Sequence, residues 1–403
     1  MMNIVSPIAT EASAPVGARA VDTGRGQANM IASRQWISRP ADQKFLSLTA
    51  LRDSVLARRE KSREQRVNNK GIEFFSNPEP KSMADTHDLW IGLNDGSEIT
   101  PSHWSFGQLC SLAKAPASYL RTLPAQIGSD ALTFGLRQAR DVEEVKLYHD
   151  NETLFAATGP DYGRIFDQEV VEAVMQIAGD GTGDTRWKVP GRLDWRTMQY
   201  DPEHPITIDT TTLYASDRDV WIMLTDDRNP IEIGKLRNGE PDYLNRGFII
   251  TNSEVGKSAL KIFAFYFRAI CCNHILWGVE NFQEISLRHS KAAPSRFIEE
   301  ARPALASFAE GSVTRLVEGV ERAKAIKLAS DQDEALTFLT ERKFSRAKAL
   351  AILETGEKEE GEPPRTVWQM AQAITADARA IQNTDERVEQ ELVAKTILDK
   401  AAA

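Results

Sequence analysis

"RGFIITNSEVGKSALKIFAFYFRAICC", residues 246–272, decides the fold. Gly256-Lys257-Ser258 looks like the end of a phosphate-binding loop, and the apolar run before it reads as a strand. A phosphate-binding loop needs Gly, four residues, then Gly-Lys-Ser/Thr, so that successive backbone N–H groups wrap the β-phosphate. Counting back from Gly256, that first glycine should stand where the chain has Thr251. A β-branched residue resists the positive φ the loop asks for, and Glu254 would face phosphate as a like charge. Asp226, at the end of "VWIMLTDD" (220–227), precedes the supposed loop and would serve magnesium only in a permuted order. Nucleotide hydrolysis is therefore set aside. Both flanks are rich in β-branched and aromatic residues, which favours strand, turn, strand. A buried helix for 258–272 stays open, because periodicity cannot settle a run that is apolar on both faces.

Outward from this stretch, residues 70–293 carry short β-like runs separated by turn residues. "LWIGLNDGSEITP" holds the Asn-Asp-Gly signal of a tight hairpin. "ALTFGLRQAR", "VKLYHD", "ETLFAATG" and the two halves of "TTLYASDRDVWIMLTDD" read as strands. "FDQEVVEAVMQIAG" predicts a helix with Val170, Val171, Val174 and Ile177 on one side and Gly179 as its stop. Residues 1–40 have no apolar period and read as a disordered leader. Residues 41–69 read as one basic amphipathic helix, and 294–403 as a helical C-terminal lobe. The fold class is α+β: a β-rich central domain of antiparallel strands and hairpins, followed by that lobe.

Three cysteines, two of them adjacent, fit a reducing cytoplasm better than a disulfide scaffold. There is no basic region leading into an apolar core, as a signal peptide requires, and the best membrane candidate, "ALKIFAFYFRAI", is interrupted by Lys261 and Arg268. A cytoplasmic protein without a membrane role is expected. The net charge of -9 disfavours polyanion binding over the whole surface, but leaves room for a local basic site.

No catalytic constellation emerges. Cys271, Cys272, His274 and His289 suggest zinc, yet adjacent cysteines rarely both reach one tetrahedral ion, and the chain has no CxxC pair. No metal and no cofactor is expected. The most suggestive chemistry lies in "RWKVPGRLDWRTMQY", 186–200, which interleaves Arg186, Lys188, Arg192 and Arg196 with Trp187, Trp195 and Tyr200. Bases stack on aromatic faces while cations follow phosphates, the usual arrangement of single-stranded nucleic-acid grooves. The competing reading is also visible: alternation puts Trp187 and Val189 on one side of a strand and Arg186 and Lys188 on the other.

The opening stretch also resembles the phage/plasmid-like prophage protein family, a domain of unknown function. The matching residues are Asn252, Ser253, Glu254, Val255, Gly256, Arg268, Cys272 and Asn273, together with pieces such as "YGRIFDQEVVEAV", "DVWIMLT", "RHS" and "TVWQMAQAIT". Where the family has Asn-Gly after the cysteine, this chain has Asn273-His274. The resemblance implies a gene of a mobile element acting in bacterial cytoplasm, and it places "NSEVG" in a β-hairpin pattern. It supplies no activity.

The first functional expectation is an accessory protein that binds single-stranded DNA in replication or recombination, in the manner of oligomeric annealing proteins. Arg186, Trp187, Lys188, Arg192, Trp195 and Arg196 would hold the strand, with Lys257 and Arg268 as auxiliary phosphate contacts. Asn252 and Glu254 would brace the hairpin. Two alternatives stand beside it: a protein-interaction module acting on a host factor, and an enzyme built around Glu254 with Arg268, Cys272 or His289.

Overall fold

Two long antiparallel strands, β11 (Val220–Lys235) and β12 (Pro241–Asn252), form the spine of the molecule. The computed structural model describes residues 39–77, 88–139, 143–190, 192–193, 200–201, 205–236, 238–268, 274–275, 285–381 and 384–402. β13 (Leu260–Arg268) pairs with β12, so the opening stretch is strand, turn, strand. β1 (Lys44–Phe45), β10 (Leu213–Ala215), β14 (His274–Ile275) and β15 (Ile285–Leu287) complete a seven-stranded sheet in the order β1-β10-β11-β12-β13-β14, with β15 also on β13. Register explains the core. Ile222 faces Ile250, which faces Ile262, and Leu224 faces Phe248, which faces Ala264. All six fall in one apolar cluster with Leu48, Leu51 and Val55 of helix α1 (Leu48–Lys61).

A six-stranded sheet precedes it, in the order β2-β6-β7-β5-β4-β3. Its strands are β2 (Arg63–Asn68), β3 (Ile72–Ser76), β4 (Leu89–Leu93), β5 (Glu98–Pro101), β6 (Glu144–His149) and β7 (Thr153–Thr158). Helices α2 (His103–Leu112) and α3 (Ala125–Gln138) cover it around a separate core that includes Ile72, Ile91, Phe106, Leu132 and Leu147. The β4–β5 hairpin turns at Gly96, whose φ of 81° suits glycine. Helix α4 (Asp167–Ala178) packs against α1, and Gly179 ends it at φ 61°.

Two expectations change. The basic segment 41–69 is not one helix: α1 stops at Lys61, and "REQRVN" becomes edge strand β2, paired with β6. Leu48, Leu51 and Val55 supply the helical apolar spacing, and it lapses after them. "ALTFGLRQAR" is helical rather than extended. Leu132 and Leu136 are buried one turn apart, and the Thr133 hydroxyl accepts the Phe74 N–H at 3.0 Å, closing the free edge of β3. Such a run is ambiguous until its length and neighbours are known.

The C-terminal region is helical, as expected: α5 (Arg302–Glu310), α6 (Thr314–Ala325), α7 (Gln332–Thr340), α8 (Arg346–Glu360), α9 (Val367–Ala378) and α10 (Thr384–Ala402). Their buried faces, among them Phe308, Val320, Ile352, Trp368 and Ile397, join the core of the seven-stranded sheet. No helix among the described residues is long and apolar enough to cross a membrane. Residues 1–38 of the expected leader lie outside the described residues.

Candidate functional site

The turn after β12 is rich in buried polar contacts and joins the two sheets. Val255 is its apolar plug: it packs with Tyr148, Phe155 and Ala156 of the six-stranded sheet. The Val255 carbonyl accepts from Trp104 Nε1 at 3.0 Å and Gln108 Nε2 at 2.8 Å, both on α2. Gly256 follows at φ 85°, a conformation that glycine adopts freely. Asn252 Nδ2 donates to the Ile165 carbonyl at 2.9 Å and to Asp167 Oδ1 at 2.8 Å. Ser253 Oγ donates to the Arg218 carbonyl at 2.6 Å. Glu254 accepts the Asp167 N–H at 2.9 Å and lies 2.5 Å from Arg58 Nη2, which also holds Asp167 at 2.7 Å. Arg164 donates to the Glu254 carbonyl and pairs with Glu64 at 2.9 Å.

These groups are buried, so each charge needs a partner in place of water. The motif residues Asn252 and Glu254 thus fasten the hairpin to the preceding part of the chain, while Ser253 ties it to the β10–β11 turn. Cys272 and Asn273 lie outside the described residues. The phosphate-loop geometry is absent here: β13, not a helix, follows Ser258, and Lys257 Nζ sits 2.7 Å from Asp219 Oδ2. Burial works against the Asp219 carboxylate, but Arg39 and Lys257 outweigh it and hold its pKa well below the usual range. His289 stacks on Tyr162, with ring centroids 5.1 Å apart. Burial pushes the His289 pKa down to about 4.

The cations singled out from the sequence divide in two. Arg186 pairs with Asp226 at 2.6 Å and donates to the Ala309 carbonyl at 2.8 Å, near the end of α5. Lys188 pairs with Asp227 at 3.2 Å, and the Lys188 and Thr225 backbones form a bridge. Arg268 grips Asp242 through two bonds of 2.7 and 2.9 Å and also pairs with Glu360. Trp187 is a core residue, 1% exposed, packed on Phe248 and Phe308 with centroids 5.0 and 6.1 Å away. Its ring cannot stack on a base, so its expected place in a groove is corrected: the alternation that put Trp187 and Val189 on one side describes a buried face.

Arg192 is placed differently. β8 (Arg192–Leu193) and β9 (Tyr200–Asp201) pair with each other as a two-stranded ribbon that belongs to neither large sheet. Trp195 and Arg196 fall in the connection between these strands, outside the described residues.

Of the residues of the suggested enzyme site, His289 lies near enough to Glu254 and Arg164 to feel their charges, Cys272 lies outside the described residues, and Arg268 does not join them. Glu254 sits in the turn between β12 and β13, whereas Arg268 closes β13 at its far end, about 26 Å along the strand at ~3.3 Å per residue. Among the described residues no group of His, Cys, Asp and Glu is placed to hold a metal ion.

Residues 198–396 match the family model of a domain of unknown function, DUF932. No curated protein and no solved structure matches the chain. The match takes in β9–β15 and the C-terminal helices but not α1 or the six-stranded sheet. The polar junction therefore spans its boundary. Asn252, Glu254, Asp219 and His289 come from the matched part, and Arg58, Tyr148, Arg164 and Asp167 from the part before it.

Sequence reasoning gave no role at the junction to Arg58, Arg164, Asp167 or Asp219. Arg58 had a signal: positions 48, 51, 55 and 58 share one helical face, and a lone arginine on an apolar stripe calls for a buried carboxylate. The other three lie in the pieces "YGRIFDQEVVEAV" and "DVWIMLT" that carry the resemblance, but their ionic roles did not show because their partners are distant in sequence.

Proposed function

We propose that the protein is an accessory protein of a mobile element that binds single-stranded DNA, and that the β8–β9 ribbon with its connection makes the contact. One observation carries this reading: the strands Arg192–Leu193 and Tyr200–Asp201 that flank Trp195 and Arg196 in sequence pair with each other and, among the described residues, with neither large sheet. Arg186, Lys188, Lys257 and Arg268 are engaged with carboxylates of the fold and have no part in this site. Arg192 and Arg196 remain to follow phosphates, and Trp195 to stack on a base. The mobile-element origin rests on the resemblance of Asn252–Gly256 and its flanks to phage/plasmid-like proteins.

The test is fluorescence anisotropy with labelled single- and double-stranded oligonucleotides. Binding that prefers single strands, and that falls in Trp195→Ala and in Arg192→Ala/Arg196→Ala, supports the proposal. Absence of binding at low salt overturns it.

A second reading, docking of a host protein, is favoured by Ile127 and Phe134, which are 52% and 67% exposed two turns apart on α3. A photo-crosslinker at position 134 should then capture a partner that the same group at exposed Asp333, on α7, does not.

A further inference from the structure

Two arginines at the junction of the sheets are short of negative charge. Arg121 follows the helical turn Ala117–Leu120, on the side of the six-stranded sheet. It donates from Nη2 to the His103 carbonyl at 2.8 Å, at the start of α2, and lies 4.8 Å from the centre of the Phe106 ring. Arg218 comes from the other sheet, in the turn between β10 and β11, where its carbonyl holds Ser253 Oγ. Trp104 and Gln108 of α2 hold the Val255 carbonyl, two residues on from Ser253, which brings the two sides together. The Arg218 side chain is 5% exposed, yet its ion-pair partner Asp217 stands 3.7 Å away, beyond hydrogen-bond reach. Arg121 is partly exposed and has no ion pair among the described residues. Nε of each is buried without a hydrogen-bond partner. Burial lowers the Arg121 pKa, and the charge of nearby Arg218 adds to this. Elsewhere at the junction Arg58 has Asp167 and Glu254, and Arg164 has Glu64, as a buried cation requires.

We propose that Arg121 and Arg218 together bind a divalent tetrahedral oxyanion, either free phosphate or the phosphate group of a small monoester. One guanidinium fork fills the edge of a planar carboxylate. A tetrahedral anion has oxygens for two forks that arrive from opposite layers, and its two charges answer both cations. Lys257, on the same turn as Ser253, is committed to Asp219 and takes no part. Arg121 lies before the matched region 198–396 and Arg218 within it, so the anion ties the matched part of the chain to the part before it. The site is separate from the ribbon, and the singly charged phosphodiesters of DNA are not its ligand.

The test titrates the full chain with sodium phosphate, with glycerol phosphate, and with sodium chloride at matched ionic strength, by calorimetry and thermal unfolding. The expected result is one-to-one binding with a midpoint rise of about 2 °C or more at saturation, which chloride does not reproduce. Tighter binding of glycerol phosphate assigns the ligand to a monoester, and tighter binding of phosphate assigns it to the free anion. Arg121→Met keeps the contact with Phe106 and should weaken Kd by about tenfold or more, with an unliganded midpoint close to the parent's. Arg121→Lys, which keeps the charge but loses the fork, should fall between the two. Arg192→Ala/Arg196→Ala should bind phosphate as the parent does. The proposal is overturned if neither phosphate compound at about 10 mM exceeds chloride, if Arg121→Met and Arg121→Lys bind as the parent does, or if the ribbon variant loses the binding.

Discussion

Replacing Glu254 by Gln tests whether the Asn252–Gly256 turn is the ionic fastening between the two sheets. The Glu254 side chain is 3% exposed, and its partner Arg58 is 8% exposed. Removing one member of a buried pair costs about 3–5 kcal/mol when the other charge is left alone. Here Arg58 keeps Asp167 at 2.7 Å, and a glutamine oxygen can still accept the Asp167 N–H. The expected loss is therefore smaller, about 2–3 kcal/mol. Arg58→Met should cost more, about 4 kcal/mol, because it leaves Asp167 and Glu254 together without the cation between them. The double variant should lose about 2 kcal/mol less than the two single losses combined, since each removes the same interaction. Urea unfolding at pH 7 measures all three, with equal denaturant slopes as the check that compactness is unchanged. Hydrogen exchange at the Asp167 amide should accelerate in Glu254→Gln. A Glu254→Gln protein within about 0.5 kcal/mol of the parent, or strictly additive losses, would refute the reasoning.

Three further outcomes follow from the geometry. Trp187→Ala should destabilise by about 3–5 kcal/mol in urea unfolding, while DNA binding per folded molecule stays unchanged, because the ring is core. Gly256→Ala should cost about 1–2 kcal/mol, since φ is 85° and the new methyl would meet Tyr162 and Gln108; Gly256→Asn should cost less. His289, held at about 4 beside Arg164 and Glu254, stays neutral when the unfolded chain has already taken up a proton. Stability should fall as pH drops from about 6.5 to about 4, by on the order of 3 kcal/mol, and level off below. His289→Gln should abolish that slope in unfolding midpoints. The Asp219 contribution, whose pKa is depressed, is lost only below the ordinary carboxylate range.

The sheet spine was legible because its strands are long and their pattern is internally consistent. The β-branched and aromatic flanks of Asn252–Ser258 favour strands once Thr251 rules out a phosphate loop, and the pairing of β13 with β12 removes the buried helix left open for 258–272. The Asn-Asp-Gly turn at 94–96 and the stop at Gly179 were legible for the same local reason, a backbone conformation that few residues tolerate. Residues 63–68 were not: their charged side chains continue the helical composition, and only pairing with β6, far along the chain, makes them a strand. The roles of the basic residues were hidden for a related reason. Composition shows that Arg186, Lys257 and Arg268 are cations, but not that Asp226, Asp219 and Asp242 await them. Arg58 was legible in principle from its place on an apolar face.

The most direct test of the proposed function is the salt dependence of single-stranded DNA binding. Each phosphate contact on a single strand contributes about -0.7 to the slope of log K against log salt. The two ribbon arginines predict a slope near -1.4, unchanged in Lys257→Ala and lost with binding in Arg192→Ala/Arg196→Ala. All six cations marked in the sequence would give about -4. A slope near -4, or binding that survives loss of both ribbon arginines, would contradict the account.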